Sequence, residues 1–350
     1  MPATTDTTAL HRGITDWFDV HARDLPWRRA ERTPWGVMVS EFMLQQTPVV
    51  RVLPVWEEWM ERWPTPSALA VEPAGEALRA WGRLGYPRRA LRLHAAAQRI
   101  AEDHAGEVPS DPGALLALPG VGAYTAAAVA CFAFGIPETV VDTNIRRVHA
   151  RLVSGRALPE PSYTAAEARL AEALMPEKEH DAGALACRWN AAVMELGALV
   201  CTARAPRCGD CPVAQDCAWV DAGRPEPHYV PKGQPWAGTD RQVRGAFMAV
   251  LREADAPVPR AALLGAHLSA GEAPAGGVEA EVPTGVGTTQ GPATAGETGE
   301  APASYPAAYS AAWKRLAELP AGGEQRERCL EGLLADGLAH EGSEGIALPH

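Results

Sequence analysis

Leu118-Pro119-Gly120-Val121-Gly122-Ala123-Tyr124-Thr125 is the stretch on which the fold turns. A short apolar helix end runs into Pro119, two glycines release the backbone from Cβ clashes, and an Ala-rich helix follows to Phe134. Such a turn aims N–H groups from the start of the second helix at an anion, which suits a DNA phosphate gripped without reading its sequence. Working outward, from Trp35 to about Arg156 apolar residues recur at three- and four-residue spacing, punctuated by Pro and Gly, the period of helices. No convincing strand interrupts them. A second helical block covers roughly 163–200, and an amphipathic stretch over 8–30 precedes Leu25-Pro26-Trp27-Arg28 and a Pro-broken turn.

The second block feeds into four cysteines, Cys201, Cys208, Cys211 and Cys217, spaced Cys-x6-Cys-x2-Cys-x5-Cys. Four thiolates this close can close a zinc site or hold the corners of an iron–sulfur cubane, with paired disulfides the weaker choice. Zinc more often takes two short pairs across a longer loop, whereas one ladder of unequal steps suits a cluster whose irons each need a thiolate. Nothing in the chain reads as a signal peptide or a run of eighteen apolar residues, so a cytoplasmic, reducing location is expected. Cys131, Cys187 and Cys329 then read as core or incidental.

The chain has 350 residues, 47% of them hydrophobic, which leaves room for two to three domains. A net charge of −11 is awkward for a protein that binds phosphate. The acid is unevenly placed: residues from Gly238 onward carry −7 and the first 237 only −4. Short basic stretches, Arg88-Arg89-Ala90-Leu91-Arg92 and Arg146-Arg147-Val148-His149-Ala150-Arg151, leave room for a local basic face.

Residues 221–240, rich in Pro, Gly and charge, read as a linker. Beyond it, 241–264 and 309–338 look like ordered pieces, short helices of a winged-helix-like unit. Between them, 268–306 is almost wholly Gly, Ala, Pro, Thr, Ser and Glu, a composition that predicts a disordered insertion.

The cysteine ladder, the Leu-Pro-Gly-Val-Gly string and Val141-Asp142-Thr143-Asn144-Ile145-Arg146-Arg147-Val148 together resemble the endonuclease III superfamily of DNA glycosylases. Ser40-Glu41-Phe42-Met43-Leu44-Gln45-Gln46-Thr47 and Trp81-Gly82-Arg83-Leu84-Gly85-Tyr86 are similar to strings of its MutY-type adenine DNA glycosylases. The lyases of the superfamily carry a Lys two residues after the second hairpin glycine, to form a Schiff base with the opened sugar; here that place is Tyr124.

The resemblance implies an all-α fold. A six-helix barrel over 35–148 would carry the helix–hairpin–helix, and 8–34 with 149–220 would form a helical domain holding a [4Fe–4S] cluster on the four cysteines. A small degenerate C-terminal domain, 241–350, would follow with its disordered insertion. Glu41 would be the general acid, Asp142 the carboxylate that meets the sugar cation, and Tyr124 and Asn144 their orienting partners. Asp142, placed after two valines, also suits a helix N-cap. Gln46 and Tyr86 would enter the DNA stack, Gly120 and Gly122 grip the backbone, and Arg28 contact the base. At Ala191 relatives often carry Gln or Glu facing the adenine. The implied activity is that of a monofunctional glycosylase on double-stranded DNA with A:8-oxoguanine or A:G mispairs, acting as a monomer. The tail contains no Phe-Ser-His string of the kind that relatives with a MutT-like domain carry.

Overall fold

A computed structural model describes residues 7–177, 183–231, 233, 235–265 and 310–350. The chain divides into two compact units, Met1–Gln234 with the last two residues, and Pro235–Leu348. In the first unit the elements are α1 (Thr7–His21), α2 (Pro34–Leu44), α3 (Val49–Arg62), α4 (Pro66–Ala70), α5 (Ala74–Trp81), α6 (Arg88–Asp103), α7 (Pro112–Ala117), α8 (Ala123–Phe134), α9 (Thr143–Leu152), α10 (Ala165–Ala173), α11 (Ala184–Leu199) and α12 (Ala218–Asp221). Among the described residues of this unit there is no strand, in line with the uninterrupted helical period.

Helix α2 is the axis of the unit. Thr33 caps it by accepting from the Gly36 N–H at 3.0 Å, and Pro34 supplies a preset φ at the first position. Every residue from Trp35 to Met43 is buried, so the helix has no solvent face and its sequence shows none. Gly36 admits the Trp56 ring, whose carbon would stand 3.0 Å from an added Cβ, and Trp56 Nε1 donates to the Gly36 carbonyl. Behind α2, Trp59 packs edge-on against Trp63 and Trp81 with ring centroids 4.9 and 5.6 Å apart. A separate core joins α1, α9 and α11 through Leu10, Ile14, Ile145, Val148, Trp189 and Leu196, and three of the ladder cysteines pack against it.

The hairpin is α7, a turn and α8. Asp111 caps α7 by accepting from the Ala114 N–H at 2.8 Å. The two glycines have different reasons to be there. Gly120 sits at φ +77°, in the left-handed region, and an added Cβ would lie 2.6 Å from Arg92 Cβ and 3.1 Å from Phe42. Gly122, expected to need the same freedom, has φ −96° and open space around it. It is the N-cap of α8, where a missing side chain leaves the first N–H groups of that helix uncovered.

The second unit contains α13 (Asp240–Glu253), α14 (Arg260–Leu264), α15 (Ala311–Ala317), α16 (Gly323–Ala335) and an antiparallel hairpin, β1 (His340–Gly342) with β2 (Gly345–Ala347). A bridge from Val258 to Ile346 adds a third edge, so helices and wing follow the order of a winged-helix module. The expected disordered insertion, 268–306, lies outside the described residues.

Gly120→Ala is expected to lower stability by roughly 1–3 kcal/mol, since it combines left-handed strain with a clash against Arg92, while Gly122→Ala leaves the melting temperature nearly unchanged. Thermal melts of both variants check this.

Candidate active site

Glu41 projects from the buried helix α2, and α8 brings Tyr124 to it: the hydroxyl donates to Glu41 Oε2 at 2.9 Å. Burial raises the Glu41 pKa from its ordinary 4.5 to about 7; the Tyr124 hydrogen bond opposes this, the charge of Asp142 adds to it and that of Arg28 subtracts. A group so placed is a proton donor near neutral pH. Tyr124 is itself held far above its usual pKa, first by burial and then by the neighbouring carboxylates, so it stays a hydroxyl able to donate to Glu41.

Asp142 caps α9. Its Oδ1 accepts from the Ile145 N–H and its Oδ2 from Asn144 Nδ2, both at 2.7 Å. Both carboxyl groups are buried. Burial lifts Asp142 above its ordinary range as well; the donors from Ile145 and Asn144 and the charge of Arg147 pull it back only in part. What separates the two carboxyls is their partners. Glu41 has one hydroxyl, whereas Asp142 has directed N–H donors that favour the anion.

Arg147, near the end of the Val141–Val148 string, holds this end of α9 against α11. Its Nη2 donates to Asn144 Oδ1 at 2.8 Å and to the Gly197 carbonyl at 2.7 Å, and its Nε to the Cys201 carbonyl at 2.8 Å. Gly197 is the point of closest approach, where an added Cβ would meet Asn144 Cβ at 2.7 Å. A Gly inside a helix, followed by a cysteine four residues on, is the only trace of this crossing in the sequence.

Arg28 leans to a different partner from the expected base. Its Nη1 stands 3.0 Å from Glu195 Oε2, and its guanidinium lies over the Phe18 ring at 5.7 Å. Glu195, fully buried on α11, also takes Arg23 Nε and Nη2 at 2.7 Å each and the Arg23 N–H at 3.0 Å. Burial pushes this carboxyl up, but the two arginines outweigh it and hold it below its usual range. Glu195 therefore ties the segment before α2 to α11. Ala191 is half-buried one turn earlier on the same helix.

Gln46 and Tyr86 lie on two adjoining turns, both exposed and both at positive φ, +56° and +47°. Thr47 Oγ1 joins the turns by donating to the Leu84 carbonyl at 3.2 Å.

The four ladder cysteines are free, half-buried and close enough to feel one another's charge. No group of three His, Cys, Asp or Glu side chains among the described residues is spaced for a single metal ion. Their surroundings suit thiolates of a larger centre: Arg151 Nη1 donates to Cys201 Sγ at 3.3 Å, and the Val213 N–H and the Trp219 and Val220 N–H groups point at Cys211 and Cys217.

A profile of the HhH-GPD superfamily of base excision DNA repair proteins matches residues 39–175, and the iron-sulfur binding domain of endonuclease III matches 201–217, the span from the first ladder cysteine to the last. An adenine DNA glycosylase of Mycobacterium tuberculosis is 54% identical over 249 residues, covering 71% of this chain and 80% of that protein. One from Mycolicibacterium smegmatis is 52% identical over 250 residues, 71% and 83% of the two chains. Among solved structures, a thermostable thymine-DNA glycosylase superposes with a TM-score of 0.55 at 29% identity, covering 62% of this chain and 97% of that one. The chain belongs to the HhH-GPD superfamily of base excision DNA repair enzymes and, within it, to the adenine DNA glycosylases. It carries a [4Fe–4S] cluster in its cysteine loop.

Between pH 4.5 and about 7 folded Glu41 keeps a proton that the unfolded chain has released, so its contribution to stability is full at the lower value and falls as pH rises, by about 3 kcal/mol in all. Glu41→Gln is neutral in both states and escapes that loss. Relative to wild type, the variant should gain melting temperature progressively from about pH 5 to about pH 8. A difference that does not change with pH would contradict the raised pKa.

Proposed function

We propose that this chain hydrolyses the N-glycosidic bond of adenine opposite 8-oxoguanine or guanine in duplex DNA, leaving an abasic site, and that it works as a monofunctional, monomeric enzyme. The observation that carries the reading is the pair of buried carboxyls with unlike partners, Glu41 held by a hydroxyl at 2.9 Å and Asp142 by two N–H donors at 2.7 Å. Adenine is a poor leaving group as an anion. Glu41, protonated near neutral pH, gives its proton to the base, most plausibly at N7, while the C1′–N9 bond breaks. The sugar then becomes cation-like, and Asp142 stabilises or briefly captures it before water completes the hydrolysis. Tyr124 fixes the Oε2 end of Glu41, so the proton sits on the other oxygen. Asn144, braced by Arg147, fixes Asp142.

The remaining residues handle DNA. The uncovered N–H groups at the start of α8, behind Gly120 and Gly122, suit a backbone phosphate. Gln46 and Tyr86 fill the space beside the orphaned base once adenine is flipped, and mispairing lowers the cost of that extrusion. Arg28 would reach the base only by leaving Glu195, its partner at 3.0 Å. Cys201, Cys208, Cys211 and Cys217 would hold the [4Fe–4S] cluster, which would crosslink the loop through its four thiolates. With Tyr124 where a lyase has its amine, no Schiff base forms. The shared fold with a thymine-DNA glycosylase leaves the base open in principle; the Glu41 string and the two 52–54% relatives favour adenine. With a small tail of helices and wing, recognition of the opposite base rests mainly on Gln46, Tyr86 and the first unit, and preference for 8-oxoguanine over guanine is modest.

Glu41→Gln and Asp142→Asn should each abolish adenine release in single turnover on an A:8-oxoguanine duplex while binding it nearly as tightly as wild type. Borohydride should trap little covalent complex with the wild-type protein. Near wild-type excision by either variant, or efficient trapping and strand cleavage without heat or alkali, would sink the assignment.

A further inference from the structure

One buried guanidinium stands under both exposed turns. Arg89, on the first turn of α6, is 6% exposed. Its Nη1 donates to the carbonyls of Phe42 at 2.9 Å, Met43 at 3.2 Å and Gln45 at 2.6 Å, the acceptors that α2 leaves unpaired at its C-terminus. Its Nη2 donates to Thr47 Oγ1 at 3.2 Å and to the Gly85 carbonyl at 3.1 Å. Nη1 thus holds the chain leading into Gln46, while Nη2 spans the two turns, bonding Thr47 just after Gln46 and Gly85 just before Tyr86. The plane lies 5.4 Å from the centroids of both the Trp81 and the Tyr86 rings. Trp81 Nε1 donates to the same Gly85 carbonyl at 3.0 Å. Burial lowers the guanidinium pKa to about 10, so it stays charged at neutral pH beside the negative end of the α2 dipole.

Exposed non-glycine residues at positive φ are strained, and strain of this kind persists only where the surroundings over-determine it. Gln46 and Tyr86 are two such residues, and Arg89 supports both, directly and through the Thr47 hydroxyl that joins the turns. We infer that Arg89 is a positioning residue that sets the separation of Gln46 and Tyr86 and ties both to the helix bearing Glu41, so that opening the DNA stack and placing the proton donor occur as one rigid step. This rests on the reading of Gln46 and Tyr86 as residues that enter the stack. A lysine cannot take the role, because one ammonium cannot reach the carbonyls at the end of α2 and the Thr47–Gly85 pair at once.

Arg89→Lys is tested on the full-length, cluster-loaded protein, with Thr47→Val as a second variant that removes the hydroxyl under Nη2 together with its own bond to the Leu84 carbonyl. Iron content and melting temperature report folding. A 2-aminopurine beside the base opposite adenine reports unstacking, and single-turnover excision is compared on an A:G duplex and on one where adenine faces an abasic site, with no base to displace. Arg89→Lys should lose the fluorescence rise and slow excision about tenfold or more on A:G but only about threefold or less opposite the abasic site; Thr47→Val should shift both in the same direction, less strongly. Equal slowing on the two duplexes, or unstacking unchanged in both variants, overturns the inference. Gln46→Ala and Tyr86→Ala separate the two levels. If they lose unstacking while the Arg89 and Thr47 variants keep it, only the positioning role fails; if they keep it, the stack-entering reading fails and takes the inference with it.

Discussion

A carboxyl group enclosed in an apolar helix keeps its proton because there is too little water or positive charge nearby to stabilise the anion, and the chemistry of this chain depends on that fact. Glu41 lies on a helix whose residues from Trp35 to Met43 are all buried, and that burial raises its pKa to about 7. Tyr124 tempers the shift with one hydrogen bond, and the nearest cation, Arg28, is diverted to Glu195. If Arg28 turned wholly to Glu41, the acid would lose its proton at lower pH. The double arginine clasp on Glu195 is therefore part of the same electrostatic arrangement as the acid itself.

Asp142 shows the complementary solution. It too is buried, yet it spends its oxygens on directed N–H donors, and those donors are fixed by a chain of contacts that leaves the site altogether. Asn144 is pinned by Arg147, Arg147 by the Gly197 and Cys201 carbonyls, and the cysteine loop by the cluster it holds. Geometry at Asp142 is thus set by how closely α11 approaches α9, which Gly197 decides.

The helical fold, the hairpin and the cysteine ladder were legible in the sequence because each is local: a 3.6-residue period, a turn of glycines, a run of thiols. Glu41, Asp142, Tyr124 and Asn144 were legible only through strings matched to a family, since no spacing says that residues 83 positions apart, as Glu41 and Tyr124 are, will share a hydrogen bond. Arg89 and Arg147 show in the sequence only as members of basic stretches and of a family string, and nothing local says what they, Gly197 or Glu195 touch. Each acts through contacts spanning roughly 40 to 170 positions, and alone each reads as a helix-surface charge or an ordinary small residue. Gly122 shows the reverse error, in which a motif suggested strain that the backbone does not carry, and β1 and β2 are three residues each, too short for alternation to register.

The most direct measurement is the pH dependence of adenine release in single turnover on an A:8-oxoguanine duplex, at one salt concentration because phosphate contacts are salt-dependent. If Glu41 delivers the proton from its buried place, the rate should hold below about pH 7 and fall roughly tenfold per pH unit above it. A rate that stays level through pH 9, with Glu41→Gln equally active, would contradict the account at its root.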